Sequence, residues 1–305
     1  MNRVQAALGV EIPIVQAPMG FIARAQLASA VSNAGALGII ETSSGRLDEV
    51  RVEIEKMGDL TDKPWGVNIA QLFVRAPGIV EFVADQGVRF VTTSAGNPEE
   101  YTEALHEAGI TVFHVVGTLR AALKAAGAGV DGLIVEGVEG GGFKSVTGAS
   151  TMVLLPLIAS KVDLPLIAAG GICDAVSLAA AFVLGAEGGQ MGTRMLSALE
   201  SPVHDNWKQA VLAANETDTV LVKRGPAPSM RVLRTEAADT IEDASTALRK
   251  LEDLYFGGDM NASLANTGQV AGRIEDIRPV ADIIHETWAG VQAALAAGEA
   301  RLLGR

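Results

Sequence analysis

Two stretches end an apolar run in bare glycine, and that ending can do chemistry. Leu164-Pro-Leu-Ile-Ala-Ala-Gly-Gly-Ile172 leads into Asp174 and a helical pattern. Gly185-Ala-Glu-Gly-Gly-Gln-Met-Gly-Thr-Arg194 finishes the same way at Gly192-Thr193. A strand closing on glycine leaves backbone N–H groups open to an anion, and the helix that follows turns its positive end toward the same point. Either motif alone is equally well read as a tight turn; two in succession favour an anion site. His114 ends another apolar run, where an imidazole can donate to a substrate oxygen or titrate near neutrality. A satisfied polar residue is its other reading. His106, His204 and His285 fall in helical or helix-entry contexts. Thr92, Thr93 and Ser94 can bond a carbonyl or simply cap a turn.

These residues need a frame, and the hydrophobic pattern supplies one. Eight short apolar runs recur: 12–16, 37–41, 65–69, 88–93, 111–115, 132–135, 164–168 and 188–191. Helical-period stretches such as 23–34, 48–57, 99–108 and 119–126 lie between them. The class is α/β, and eight such units close as a (β/α)8 TIM barrel. In that fold the loops after strands seven and eight share a phosphate site, which is where both glycine motifs fall. An open doubly wound sheet would place a Gly-rich fingerprint after its first strand; Ala17-Pro-Met-Gly20 stands there instead. The expected organisation is a barrel over 1–200, a small inserted lid over 201–272 and a C-terminal helix over 273–305 that packs back on the barrel.

Composition narrows the class further. The 305 residues are 49% hydrophobic with only 4% aromatic and 34 glycines, a balance suited to a parallel sheet buried on both faces. The longest nearly unbroken apolar stretch, 176–186, is about half of what a bilayer crossing requires. Glu11 and Pro13 interrupt the N-terminal apolar segment, which lacks the pattern of a secretory signal, and the chain reads as cytoplasmic. The single cysteine, Cys173, forms no intramolecular disulfide and supplies no zinc site. A net charge of −12 argues against nucleic acid and anionic membranes as partners. An anionic ligand must therefore be held by local dipoles or a local basic cluster.

The motifs Ile14-Val-Gln-Ala-Pro-Met19, Gly66-Val-Asn68, Glu136-Gly-Val-Glu-Gly-Gly-Gly142, Ala168-Ala-Gly-Gly-Ile172 and Gln190-Met-Gly-Thr-Arg194 occur in that order. In this the chain resembles the nitronate monooxygenase (2-nitropropane dioxygenase) family, whose relatives include flavin-dependent enoyl-thioester reductases. Glu200-Ser-Pro202, Lys208 and the Gly268-Gln269…Gly272 segment extend the resemblance over nearly the whole chain. The resemblance implies non-covalent FMN, with its phosphate at Gly170, Gly171, Gly192 and Thr193. It puts the ring beside Ala17, Pro18 and Met19, and Asn68 on a polar edge.

One departure bears on the reaction. Members with nitronate chemistry, and many of their reductase relatives, carry a histidine directly after the run that here reads Glu139-Gly-Gly-Gly142, as a base or a substrate contact; this chain has Phe143, which can serve as neither. Lys144 is the adjacent group able to move a proton or hold an anion, with a solvated loop lysine as its plain reading. Between Lys223 and Arg234 stand four cations, Lys223, Arg224, Arg231 and Arg234, and no acid. Folded over the barrel mouth, with Arg224 and Arg231 as principal contacts, they can hold the phosphates of an acyl-CoA or acyl-carrier thioester. Balancing nearby carboxylates is their alternative role.

The expected function is FMN-dependent oxidation or reduction of a small molecule. Its reacting carbon is activated by a thioester or, less in keeping with Phe143, by a nitro group. Lys144 and His114 are the candidate catalytic residues, and Phe143, Arg224 and Arg231 the candidate substrate contacts. The rival readings are a flavin-free barrel lyase or isomerase on a phosphorylated substrate, and a flavin-binding protein without catalysis. Homo-oligomerisation stays open.

Overall fold

The computed structural model describes residues 1–74, 78–144, 147–223, 229–241 and 250–304. In chain order its strands are β1 (Ile14–Gln16), β2 (Gly38–Ile40), β3 (Trp65–Ala70), β4 (Phe90–Ser94), β5 (Thr111–Val116), β6 (Gly132–Glu136), β7 (Gly142–Lys144), β8 (Leu166–Ala169), β9 (Gly188–Met191), β10 (Thr219–Val222) and β11 (Ser229–Leu233). Eight of them form one parallel sheet in the order β1-β9-β8-β6-β5-β4-β3-β2. The Gln16 amide donates to the Leu37 carbonyl (3.0 Å) and the Leu37 amide to the Ile14 carbonyl (2.9 Å), closing the sheet into a (β/α)8 barrel. Each of the eight expected apolar runs overlaps one of these strands, which in five cases reaches one residue beyond the run.

Alternation along the strands sorts side chains between two cores. Val91, Val112 and Val116 join the large cluster shared with the surrounding helices, whereas Phe90, Phe113, Ile134 and Ile167 fill the lumen. Phe90 and Phe113 meet edge-on at 5.3 Å. Gly132 makes room for them, because a Cβ there would lie 2.3 Å from Phe113 Cζ. A short helix that the pattern did not signal, Arg3–Leu8, plugs the lower end with Val4 and Leu8. Asn2 caps it, accepting from the Gln5 amide at 2.9 Å while its own amide donates to Gln5 Oε1.

The chain after β9 does two jobs. Helix Val280–Leu303 packs outside the barrel between helices Ala175–Val183 and Ala25–Asn33, the place of the eighth outer helix. Gly290 permits that approach, since a Cβ there would lie 2.7 Å from Ala175 Cβ. The intervening segment builds a three-stranded antiparallel sheet, β10-β11-β7, over the C-terminal ends of the barrel strands. Its third strand, Gly142–Lys144, comes from within the expected barrel segment and not from the insertion.

Candidate functional site

A cavity of about 240 Å³, partly open to solvent, lies at the C-terminal end of the barrel. Turns following β1, β6, β8 and β9 form its floor and sides; Met230 of β11 and parts of 251–270 cover it. This is the end of a (β/α)8 barrel at which ligand sites are built.

The turns after β8 and β9 offer backbone. Gly170 and Gly171 have φ of +82° and +86°, a conformation that strains any residue with a Cβ. At Gly170 a Cβ would also lie 2.9 Å from the Gly137 carbonyl, while beyond Gly171 no atom lies within 4 Å. Among the described residues, the amides of Gly170, Gly171 and Gly192 donate to no protein acceptor. The following helix, Ala175–Val183, does not add its positive end as freely as the sequence suggested. Asp174 accepts from the Ser177 amide (2.8 Å) and pairs with Arg273, so that terminus is already capped. Helix Thr193–Leu196 has no side-chain cap. The Thr193 hydroxyl accepts from the Gly268 amide at 2.9 Å.

The turn after β1 forms the facing side. Ala17, Pro18 and Met19 all line the cavity. Phe21 carries a φ of +64°, and its amide donates to Glu41 Oε1 at 3.1 Å. Glu41 is fully buried, also accepts from the Ser44 amide at 2.7 Å, and lies 3.4 Å from the Arg24 guanidinium. A buried carboxylate compensated in this way holds the turn in its strained form. Next to these turns, Gln190 lines the cavity, and its buried Oε1 has no hydrogen-bond partner among the described residues. An orphaned buried acceptor at an open cavity suits a ligand donor. Bare amides on one side, a small-residue turn opposite and an unspent amide oxygen between them fit a phosphate-bearing flat heterocycle.

The loop after β6 is held by side chains. Glu139 accepts from the Thr151 amide at 2.9 Å, and its carbonyl from the Gln269 amide at 2.9 Å. Lys144 Nζ donates to Glu136 Oε1 (2.7 Å) and to the carbonyls of Gly141 (2.9 Å) and Phe143 (3.0 Å). Phe143 lines the cavity and meets Phe73 with ring centroids 5.3 Å apart.

Other expected site residues lie elsewhere. His114 shares the outer face of β5 with Val112 and Val116, bonds Thr93 Oγ1 through Nδ1 at 2.7 Å, and does not line the cavity. Burial, reinforced by Lys124, pulls its pKa down to about 4. The expectation that its imidazole can reach a substrate oxygen is therefore corrected, because Phe113 and not His114 takes the inward register. Asn68 points inward but spends its Nδ2 on Thr92 Oγ1 (2.9 Å), the Thr92 carbonyl (3.1 Å) and Ser94 Oγ (3.2 Å), below the cavity wall. Arg231 is buried, its Nε donating to the Val138 carbonyl at 2.6 Å and its Nη1 to Thr219 Oγ1 at 3.2 Å. It ties β11 to the loop after β6, so the reading of Arg231 as a surface phosphate contact is corrected too. Arg224 lies outside the described residues.

Several lining residues carried no role in the sequence reading: Gln190, Glu136, Phe73, Tyr255 and Asn266. Gln190 had a usable signal, as a lone amide in an otherwise small and apolar strand. Tyr255, packed between Phe21 and Trp207, is recognisable only once the chain folds back, and burial pushes its phenol pKa up.

Comparison with known proteins places this geometry. A family model for nitronate monooxygenase matches residues 2–77 and 72–290. The (3aS,4S,5R,7aS)-5-hydroxy-7a-methyl-1-oxo-octahydro-1H-indene-4-carboxyl-CoA dehydrogenase of Mycobacterium tuberculosis is 41% identical over 244 residues, 79% of this chain and 68% of that protein. FabK from Thermotoga maritima superimposes with a TM-score of 0.92 at 35% identity, covering 99% of both chains. Nitroalkane oxidase from Streptomyces ansochromogenes gives 0.83 at 25% identity over 97% of this chain and 100% of that one.

Proposed function

Because the chain belongs to the nitronate monooxygenase family and is a flavin-dependent oxidoreductase, we propose that its flavin is FMN and its substrate an acyl thioester. The observation that supports this most directly is one cavity joining a backbone anion seat to an apolar wall. Gly170, Gly171 and Gly192 offer amides for a terminal phosphate, and Thr193 fixes the covering Gly268 beside them. Ala17, Pro18 and Met19 supply a flat apolar side for the ring, and Gln190 an acceptor for a ring N–H. When bound, FMN supplies the hydride exchange, and the protein's task is to orient the substrate and keep water out.

Where the family carries a histidine, Phe143 stacks near Phe73 and has no proton to move. Such a wall suits the apolar acyl part of a thioester better than abstraction of a proton from a nitroalkane. The similarity to a carboxyl-CoA dehydrogenase points the same way. Of the basic stretch, Lys223 and Arg234 are the exposed described cations left to meet the phosphates of coenzyme A.

Incubating the purified protein with FMN, FAD or riboflavin and desalting it tests the cofactor. FMN should stay bound in stoichiometric amount, and riboflavin, lacking the phosphate, should wash out. Retention of FAD alone would overturn the assignment. Anaerobic addition of acyl-CoA substrates, and of alkyl nitronates in parallel, should change the flavin spectrum with the former and only weakly with the latter. Coenzyme A affinity should fall with salt and with Lys223→Ala or Arg234→Ala; binding indifferent to both removes the electrostatic part of the reading.

A further inference from the structure

We propose that Lys144 is a positioning residue: with Glu136 and Gly141 it clasps the loop after β6, so that Phe143 stands as a fixed wall selecting the acyl part of the substrate. The substrate half of this inference rests on the acyl-thioester reading above.

The clasp follows from donor counting. An ammonium group has three N–H donors. Lys144 places its three hydrogen bonds on Glu136 Oε1, the Gly141 carbonyl and the Phe143 carbonyl, at 2.7, 2.9 and 3.0 Å. Its side chain is only 4% exposed. Among the described residues these three acceptors take up all three donors, although the residue lines the cavity. Two of the acceptors belong to Lys144's own loop and the third to the end of a barrel strand. The ammonium thereby bolts the loop to the barrel.

The neighbouring residues are chosen for this arrangement. Gly140 leaves space for the pair, because a Cβ there would lie 2.9 Å from Glu136 Oε1 and 3.1 Å from Lys144 Cε. Gly142 takes a φ of +75°, turning the chain so that β7 pairs with β11 through Phe143 and Met230. Phe143, fixed on both flanks, reaches Phe73 from the turn after β3. A residue held by strand pairing and a second aromatic ring, next to the Lys144–Glu136 ion pair, presents one shape to whatever enters, as a selectivity wall requires.

The test has an arm that needs no substrate. In the flavin-loaded protein, Lys144→Met removes all three bonds and should raise amide hydrogen exchange of the 140–144 segment by at least about tenfold, the loss expected of a single charge-assisted hydrogen bond, and leave β8 unchanged. Glu136→Gln keeps an acceptor oxygen and should change that exchange by less than about threefold. Unaltered exchange in Lys144→Met overturns the clasp. The second arm titrates butyryl-CoA and dodecanoyl-CoA against the flavin absorbance. Phe143→Ala and Lys144→Met should each cut the preference for the longer chain about tenfold, and the double variant no further than either single one. Additive losses would mean that Lys144 acts independently of Phe143, and overturn its positioning role. If neither thioester binds the wild-type protein, the acyl-thioester reading falls, and with it the selection of an acyl chain; the exchange arm then still decides the clasp.

Discussion

The two sides of the cavity are built on different principles. After β8 and β9, glycine turns place bare amides at the cavity, with the Thr151 hydroxyl, donating to the Gly170 carbonyl at 2.8 Å, and the Thr193 hydroxyl as their side-chain ties. After β6, the loop depends on Lys144, Glu136 and Glu139, and on a β11 strand almost ninety residues further along. A seat made of backbone needs only local conformation, and its chemistry is the same whatever ligand carries the phosphate. A wall made of side chains needs partners from distant segments, and it is the part that can diverge while the seat stays unchanged. Phe143, at the position where the resemblance to the family implies a histidine, falls on that second side.

The largest effect should come from Gly171→Asp. Its φ of +86° disfavours any side chain, and the new carboxylate would oppose the phosphate. The folded variant should lose all FMN by absorbance after desalting, whereas Phe143→Ala should keep it; equal retention by both would erase the distinction between the two sides.

Trp207→Ala tests how far the covering segment depends on the core. Trp207 is fully buried, donates to Thr267 Oγ1 at 3.2 Å and packs on Tyr255 at 4.7 Å. Its truncation should cost about 3–5 kcal/mol in urea unfolding, in keeping with large-to-small core changes. A loss below about 1 kcal/mol would show that the cover is not anchored there.

His114 gives a pH signature outside the cavity. Above about pH 6.5 both folded and unfolded chains carry a neutral imidazole. Below it the unfolded chain takes a proton that the buried His114, with its pKa lowered to about 4, refuses. Stability is therefore lost as pH falls from 6.5 through 4, by about 3 kcal/mol from this residue. In His114→Gln that part of the slope should vanish, with kcat at pH 7 within about twofold of wild type. A large fall in kcat would return His114 to catalysis.

The smallest change concerns Phe143→His. Wild-type turnover of simple alkyl nitronates should be low, and the imidazole should raise it by about tenfold, short of the full worth of a well-placed general base. Wild-type rates already high would show that another group does the work of the base.

Most of the frame was legible because parallel strands buried on both faces read as short apolar runs. Gly170-Gly171 and Gly192-Thr193 were legible for a related reason, since their conformation is a local property. Helix Arg3–Leu8 escaped notice because its six residues acquire their purpose only inside the barrel. Strand β7 escaped because Gly-Phe-Lys has no alternation to read, and its partner is Ser229–Leu233. His114 was placed on the right strand and the wrong face, a one-residue matter that side-chain period alone decides. Arg231 looked like part of an exposed basic patch because charge counting is blind to burial.

By itself the sequence determined the repeating β/α units, the barrel they close into and the positions where glycine had to end a strand. Those follow from propensities and backbone sterics acting over a few residues. Only the tertiary structure decided which polar groups face the cavity, that Lys144 is spent on its own loop, and that Arg231 is a buried tie. Each of these depends on which distant acceptor a donor meets once the chain has closed, and burial makes an unmet donor or charge too costly to leave unpaired.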